Sequence, residues 1–233
     1  MKKKKRLNKN SLIQLVGILL ILSSLVYIGY YKLRVTYRKN SIEQSKEEFI
    51  NENKNNKEIV NEVSKNNKEK ILVDNLVGFD NSQKRSKESA NKEKLNTVAF
   101  LEVDKLGIVL PVFQGTSDRE LRDGVGLVEG TDYPSDQLST VSVLAGHRGG
   151  YNGEQTFLNI DKLNNGDEIR VTTKGKELLY RVVEKKIIES TDWSHFTKED
   201  NQSKLILLSC HPYPQNHQRI LVISNLVEER QIT

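Results

Sequence analysis

One cysteine, four histidines and a few well-placed arginines bound the chemistry open to this 233-residue chain. Cys210 has no partner for an internal disulfide, so it is a buried bystander, half of an intermolecular bridge or a reactive thiol. It closes the apolar run LILLSC, where the chain turns into HPYPQNHQR. A side chain at the end of a rigid strand is held in place yet presented at a rim. A thiol becomes a nucleophile when a base or a cation favours the thiolate. His147 has the matching position at the end of VSVLAGH, followed by Arg148-Gly149-Gly150, which reads as a flexible stretch. Arg219 opens the run after that of Cys210, nine residues later. A hairpin between KLILLSC and RILVISN sets it beside the sulfur, where a fixed-charge guanidinium can hold a substrate carbonyl or a developing oxyanion.

His211 directly follows Cys210, and strand alternation turns it to the opposite face. His217, in the loop beyond, remains a rival partner for the thiol. Taken singly, His147 reads as an ordinary histidine and Arg219 as a surface ion-pair residue. Three reactive types at the ends of core strands change that reading.

The elements that must position these residues read as strands from Asn96 onward. VAFLEV (98–103), GIVLPVF (107–113), TVSVLAGH (140–147), EIRVTT (168–173), ELLYRVVEKKIIE (177–189), KLILLSC (204–210) and RILVISNL (219–226) are β-rich runs separated by turn residues. SDRELRDG (117–124) predicts a short helix with Ser117 as N-cap and Gly124 at its end, and FLNIDKL (157–163) has helical spacing. About eight strands with only small helices favour a closed all-β barrel, and residues 97–227 suffice for one core. The hydrophilic VEERQIT follows, with residues 228–233 read as a tail and no second hydrophobic segment.

The first third of the chain differs. Ser11 to Tyr31 is an uncharged, mostly apolar run of the length that crosses a bilayer, with Tyr27, Tyr30 and Tyr31 at one end. A cleaved signal peptide is the alternative, but bulky YIGYYKLR stands where small residues would be needed. Six bases precede the run and four follow, favouring a cytoplasmic tail at 1–10, a single-pass helix at 11–31 and the remainder outside the cell membrane. Residues 32–96 read as a polar stalk, helical or disordered, because the stretch is rich in Asn and charge and poor in apolar residues. Residues 1–40 carry ten bases and no acid, while the other 193 residues carry 26 bases against 31 acids. The basic pI of about 9.1 therefore belongs to the membrane flank, which disfavours a nucleic-acid role.

TVSVLAGHRG, a strand ending LLSC and Arg219 opening a last strand together resemble the sortases of Gram-positive bacteria. The stretch IVLPVFQGTSDRELRDGVGLVEGT is similar to the early strands and helix of that family. The resemblance implies an eight-stranded sortase-like barrel and a membrane-anchored cysteine transpeptidase. It makes Cys210 the nucleophile, His147 the acid/base partner and Arg219 the stabiliser of substrate or oxyanion. The family usually has Thr before the cysteine; Ser209 keeps the hydroxyl, loses the methyl, and stands as a substrate-side residue. Trp193, in the loop STDWSHF, is a second candidate contact for a sorting peptide, or else a pin holding that loop to the core.

The implied reaction cleaves an LPXTG-like sorting motif of an exported protein through a thioester and passes the acyl group to an amine. The N-terminal anchor is class A-like, which implies attachment of surface proteins to a lipid II-type wall precursor. GHRGGYNGEQTFLNIDKL and SCHPYPQNHQR look class C-like, which would make a pilin lysine the acceptor, although the Asp-Pro-aromatic lid of that class is missing. A hydrolytic cysteine protease and a membrane-tethered, non-enzymatic binding domain are the readings from other classes. No cofactor or metal is expected; loop carboxylates Glu129, Asp132, Asp136, Asp167 and Glu168 leave calcium as a lesser option.

Overall fold

The computed structural model describes residues 9–66, 95–149 and 156–232. It divides into two units, residues 1–41 and 42–233. Helix α1 runs over Lys9–Asn66, so the polar stretch after the apolar run is helical as far as that residue, and the rest of the expected stalk to 94 lies outside the described residues. In the first unit the apolar side chains stand exposed all around α1, with Val26 and Leu33 more than 70% accessible. A helix that is apolar on every side is suited to lipid. It is the one helix among the described residues long and apolar enough to cross a membrane.

The second unit is an eight-stranded closed barrel, as the sequence predicts. Its strands are β1 (Thr97–Val103), β2 (Ile108–Gln114), β3 (Val125–Leu127), β4 (Thr140–Ala145), β5 (Glu168–Thr172), β6 (Lys176–Glu189), β7 (Ser203–His211) and β8 (Gln218–Gln231). They close in the order β1-β2-β3-β4-β7-β8-β6-β5, with β2–β3 and β4–β7 parallel and the other pairs antiparallel. Two elements differ from the sequence reading. FLNIDKL forms only a 3-10 turn at Ile160–Lys162, because Phe157, Ile160 and Leu163 recur every third residue and all three are fully buried. The presumed tail continues β8 to Gln231, where it pairs with Lys176 at the start of β6. Helix α2 (Asp118–Asp123) ends where Gly124 N–H donates to Glu120 O, and Ser117 holds the N-cap position without a side-chain cap bond, its hydroxyl donating instead to the Glu120 carboxylate.

Alternation assigns each strand two faces. Leu144 of β4, Leu205 and Leu207 of β7, and Ile220 and Val222 of β8 fill the barrel interior. Val141 and Val143, Ile206 and Leu208, and Leu221 and Ile223 form a second cluster on the outer face of the same strands. Phe196 of the β6–β7 loop and Val128 pack on it. Covered on both sides, β4 and β7 read as nearly continuous apolar runs. A third contact lies on β1–β2, where Ile42 and Phe49 of α1 pack on Phe100 and Val109. Lys46, between them on the same helix face, pairs with Glu102 at 2.7 Å.

Candidate active site

Strand parity places the chemistry. On β7 the even residues Ile206 and Leu208 face outward, so half-buried Cys210 ends the outer apolar stripe. On β8 the odd residues Leu221 and Ile223 face outward, so Arg219 shares that face, and it is the direct cross-strand partner of Cys210. The parallel β4–β7 register runs from Thr140↔Ser203 to Ala145↔Leu208. One further rung holds, with Gly146 N–H donating to Leu208 O at 3.0 Å. Continued by one more residue, that register sets His147 level with Cys210. His147 follows the odd, outward parity of Val141 and Val143 and is exposed. Cys210 and Arg219 thus share one face at one end of β7 and β8, and His147 follows two residues past the end of the adjacent β4.

The backbone around His147 is pinned on both sides. The buried Ser209 hydroxyl donates to Gly146 O at 2.7 Å, and Phe157 N–H donates to His147 O at 3.0 Å. Ser209, expected as a substrate-side residue, is 3% exposed and turns its hydroxyl into the fold, where it ties β7 to the end of β4. Gly146 leaves no room for a side chain, since a Cβ there would lie 2.7 Å from the ring of buried Phe157. At Gly149, φ is +91° and the Tyr213 ring of the β7–β8 loop occupies the position of a Cβ, at 2.8 Å.

Arg148, read as part of a flexible stretch, is 9% exposed and engaged on every side. Its Nη2 pairs with Asp161 at 2.9 Å, and its Nη1 lies 2.7 Å from His211 Nδ1 and 3.4 Å from Cys210 O. His211 is accordingly turned away from the outer face, as alternation predicts. Burial, then the Arg148 charge, lowers the His211 pKa below the ordinary imidazole value. The Arg148–Asp161–His211 cluster was not singled out in the sequence; the signal available was the step of 63 residues that separates both Arg148 from His211 and His147 from Cys210.

Arg219 donates to Asn216 O at 3.2 Å and Gln218 O at 2.8 Å, both at the rim. His217 is exposed in the β7–β8 loop. Trp193 is 60% exposed and meets Phe196 edge-on at 5.5 Å, so it both covers the loop anchor and offers a free ring beside the outer face. The loop carboxylates do not gather. Asp132 accepts from Val141 N–H and Lys198, Asp136 pairs with Lys176, Asp167 with Lys105 and Glu168 with Arg181. Among the described residues no group of three or more His, Cys, Asp or Glu could hold a metal ion.

The family model for the sortase domain matches residues 101–227. Sortase D of Bacillus subtilis (strain 168) is 30% identical over 131 residues, which are 56% of this chain and 63%, under two thirds, of that relative. Among solved structures, sortase C2 of Group B Streptococcus pilus island 1 matches with a TM-score of 0.56 and 32% identity, covering 58% of this chain and 77% of that one. Sortase C of Streptococcus pneumoniae, whose structure bears on pilin substrate specificity, matches with a TM-score of 0.56 and 27% identity over 59% and 72% of the two chains. The matched residues take in the barrel strands that carry Cys210, Arg219 and the end of β4. The chain belongs to the sortase family.

Proposed function

We propose that this protein is a membrane-anchored cysteine transpeptidase acting on exported proteins that carry an LPXTG-like sorting signal. The observation that carries the reading is the Cys210↔Arg219 pair on one outer face, with His147 two residues beyond the end of the neighbouring strand β4, where continuation of the β4–β7 register would set it level with Cys210. Cys210 Sγ, its proton passed to His147, adds to a backbone carbonyl carbon of the signal, and the oxyanion that forms is met by the Arg219 guanidinium. The C–N bond then breaks, and His147 delivers a proton to the departing amine. This leaves a thioester. An incoming amine loses its proton to His147 and attacks the thioester carbonyl, forming a new amide as the thiolate departs.

Trp193 is suited to line the path of the peptide toward Cys210, because its exposed ring meets Phe196, which packs on the outer-face cluster that ends at the thiol. Ser209 serves by keeping the frame. The anchor helix suits a chain with its basic tail in the cytoplasm and its barrel outside the cell membrane, where sorting signals and acceptor amines meet.

We favour an amine of a lipid II-type wall precursor as the acceptor. A pilin lysine is the second reading, supported by the pilus-related names of matching structures and by the chain's GHRGG and SCHPYP motifs. The test is mass spectrometry of the full chain in detergent with candidate sorting peptides. A thioester on Cys210, converted to amide by added glycine or alanine amine, is expected. Ladders formed only with a lysine-bearing pilin would select the second reading. Release of free acid despite added amine would make the protein a hydrolase, and no adduct with any peptide would overturn the assignment.

A further inference from the structure

Arg148 is a buried cation one residue beyond the proposed acid/base group, and it does not face the substrate side. Its guanidinium bonds three pieces of the fold. Nε donates to Leu158 O at 3.3 Å and Nη2 pairs with Asp161 of the 3-10 turn, while Nη1 reaches His211 Nδ1 and Cys210 O on β7. Because an arginine can only donate, His211 Nδ1 must present its lone pair and carry its proton on Nε2. The peptide joining Cys210 to His211 is thus clamped at its carbonyl and at the next side chain.

We propose that Arg148 is a positioning residue: pinned by Asp161, it fixes the Cys210–His211 peptide against the end of β4 and so sets the level of the Cys210 sulfur relative to His147. Neutral His211 is its acceptor. This rests on the transpeptidase reading for its effect on turnover, but not for its effect on the thiol. A displacement of about 1 Å in a reacting group can cost ~100-fold in rate. Protonation of His211 would replace the acceptor with a second positive charge facing Arg148. Burial disfavours that charge first, Arg148 and His217 oppose it and Asp161 favours it, with a net lowering of the His211 pKa. The clamp therefore holds above the lowered His211 pKa and opens as pH falls below it.

The full chain in detergent gives two readouts: alkylation of Cys210 by a small thiol reagent across pH, and kcat and KM for peptide transfer to glycine amine. Arg148→Met is expected to shift the alkylation profile and to lower kcat by ~100-fold with KM nearly unchanged. Arg148→Lys should recover only part of that loss. His211→Ala should lower kcat by about tenfold, and His211→Asn, whose Oδ1 stands where Nδ1 stood, should restore most of it while removing the acid limb. A folded Arg148→Met with wild-type kcat and an unchanged alkylation profile would overturn the proposal. If that variant does not fold, equal kcat for His211→Ala and His211→Asn overturns it. A wild-type chain inert toward every peptide, with an alkylation profile still moved by Arg148→Met, would sink the transpeptidase reading and leave the positioning role standing.

Discussion

Cys210 and Arg219 stand directly opposite each other across the antiparallel β7–β8 ladder, and both side chains belong to the outer face of the barrel. Directly opposed positions bring Cβ atoms to about 4.5–5.5 Å, within reach of a long side chain. The guanidinium now donates to two loop carbonyls, Asn216 O and Gln218 O. Both lie at the rim, where water can replace the lost donor, so little opposes a swing of Arg219 toward a substrate oxygen.

Arg219→Ala should therefore lower kcat by ~10²–10³, the usual scale for loss of one oxyanion donor. Arg219→Lys should recover only part, because an ammonium lacks the planar fork. Single-turnover thioester formation is the measurement. Wild-type rates in Arg219→Ala would remove the guanidinium from the chemistry.

Cys210→Ala should give no adduct with any sorting peptide, and His147→Ala should lose several orders of magnitude in turnover. His217→Ala should keep most activity, since His217 stands exposed in the β7–β8 loop and belongs to no strand. Near-normal turnover in His147→Ala together with a collapse in His217→Ala would exchange the two assignments.

The pairing of Cys210 with Arg219 was legible because two apolar runs joined by a short polar loop leave few hairpin registers. The barrel was legible for the same reason, its strands being mostly long and separated by turns. Strand β3 was harder: Val125–Leu127 is too short to display a period. The end of β8 was hidden because Glu228, Glu229 and Arg230 are exposed and polar, and only the facing residues of β6 make them a strand. The docked face of α1 was present as Ile42, Lys46 and Phe49 at helical spacing, but the polar residues around it masked the stripe. Arg148 misled in the opposite sense, because a charged residue beside glycines signals a loop, and its burial depends on Asp161 and His211 arriving from elsewhere in the chain.

Gly146→Ala should couple stability to activity. The added Cβ would lie 2.7 and 2.9 Å from Phe157 ring atoms and 3.0 Å from Val125 Cγ1, all fully buried. Overpacking of this kind costs about 1–3 kcal/mol. Phe157 also holds His147 O through its N–H, so a displaced Phe157 carries the imidazole with it. The expected result is a lower Tm and a fall in kcat at temperatures where the variant is still folded. A folded Gly146→Ala with unaltered kcat would separate the packing of Phe157 from the placement of His147.

The contact of α1 with the barrel predicts a loss of stability in acid. Burial by itself would raise the Glu102 pKa, but ion pairs with Lys46 at 2.7 Å and Arg170 at 3.2 Å outweigh it and hold the carboxyl below its ordinary value. A depressed folded-state pKa contributes stability that is present above the unfolded value, near 4.3, and is lost as pH falls through the folded one. Lys46→Met keeps the apolar stem and removes the charge. It should cost about 0.2–1 kcal/mol at pH 7, the range for partly exposed pairs. The gap from wild type in denaturant midpoint should narrow steadily as pH drops below the unfolded value, because protonated Glu102 has no charge left for Lys46 to meet. A gap that stays constant down to pH about 2 would assign the effect of Lys46 to packing alone.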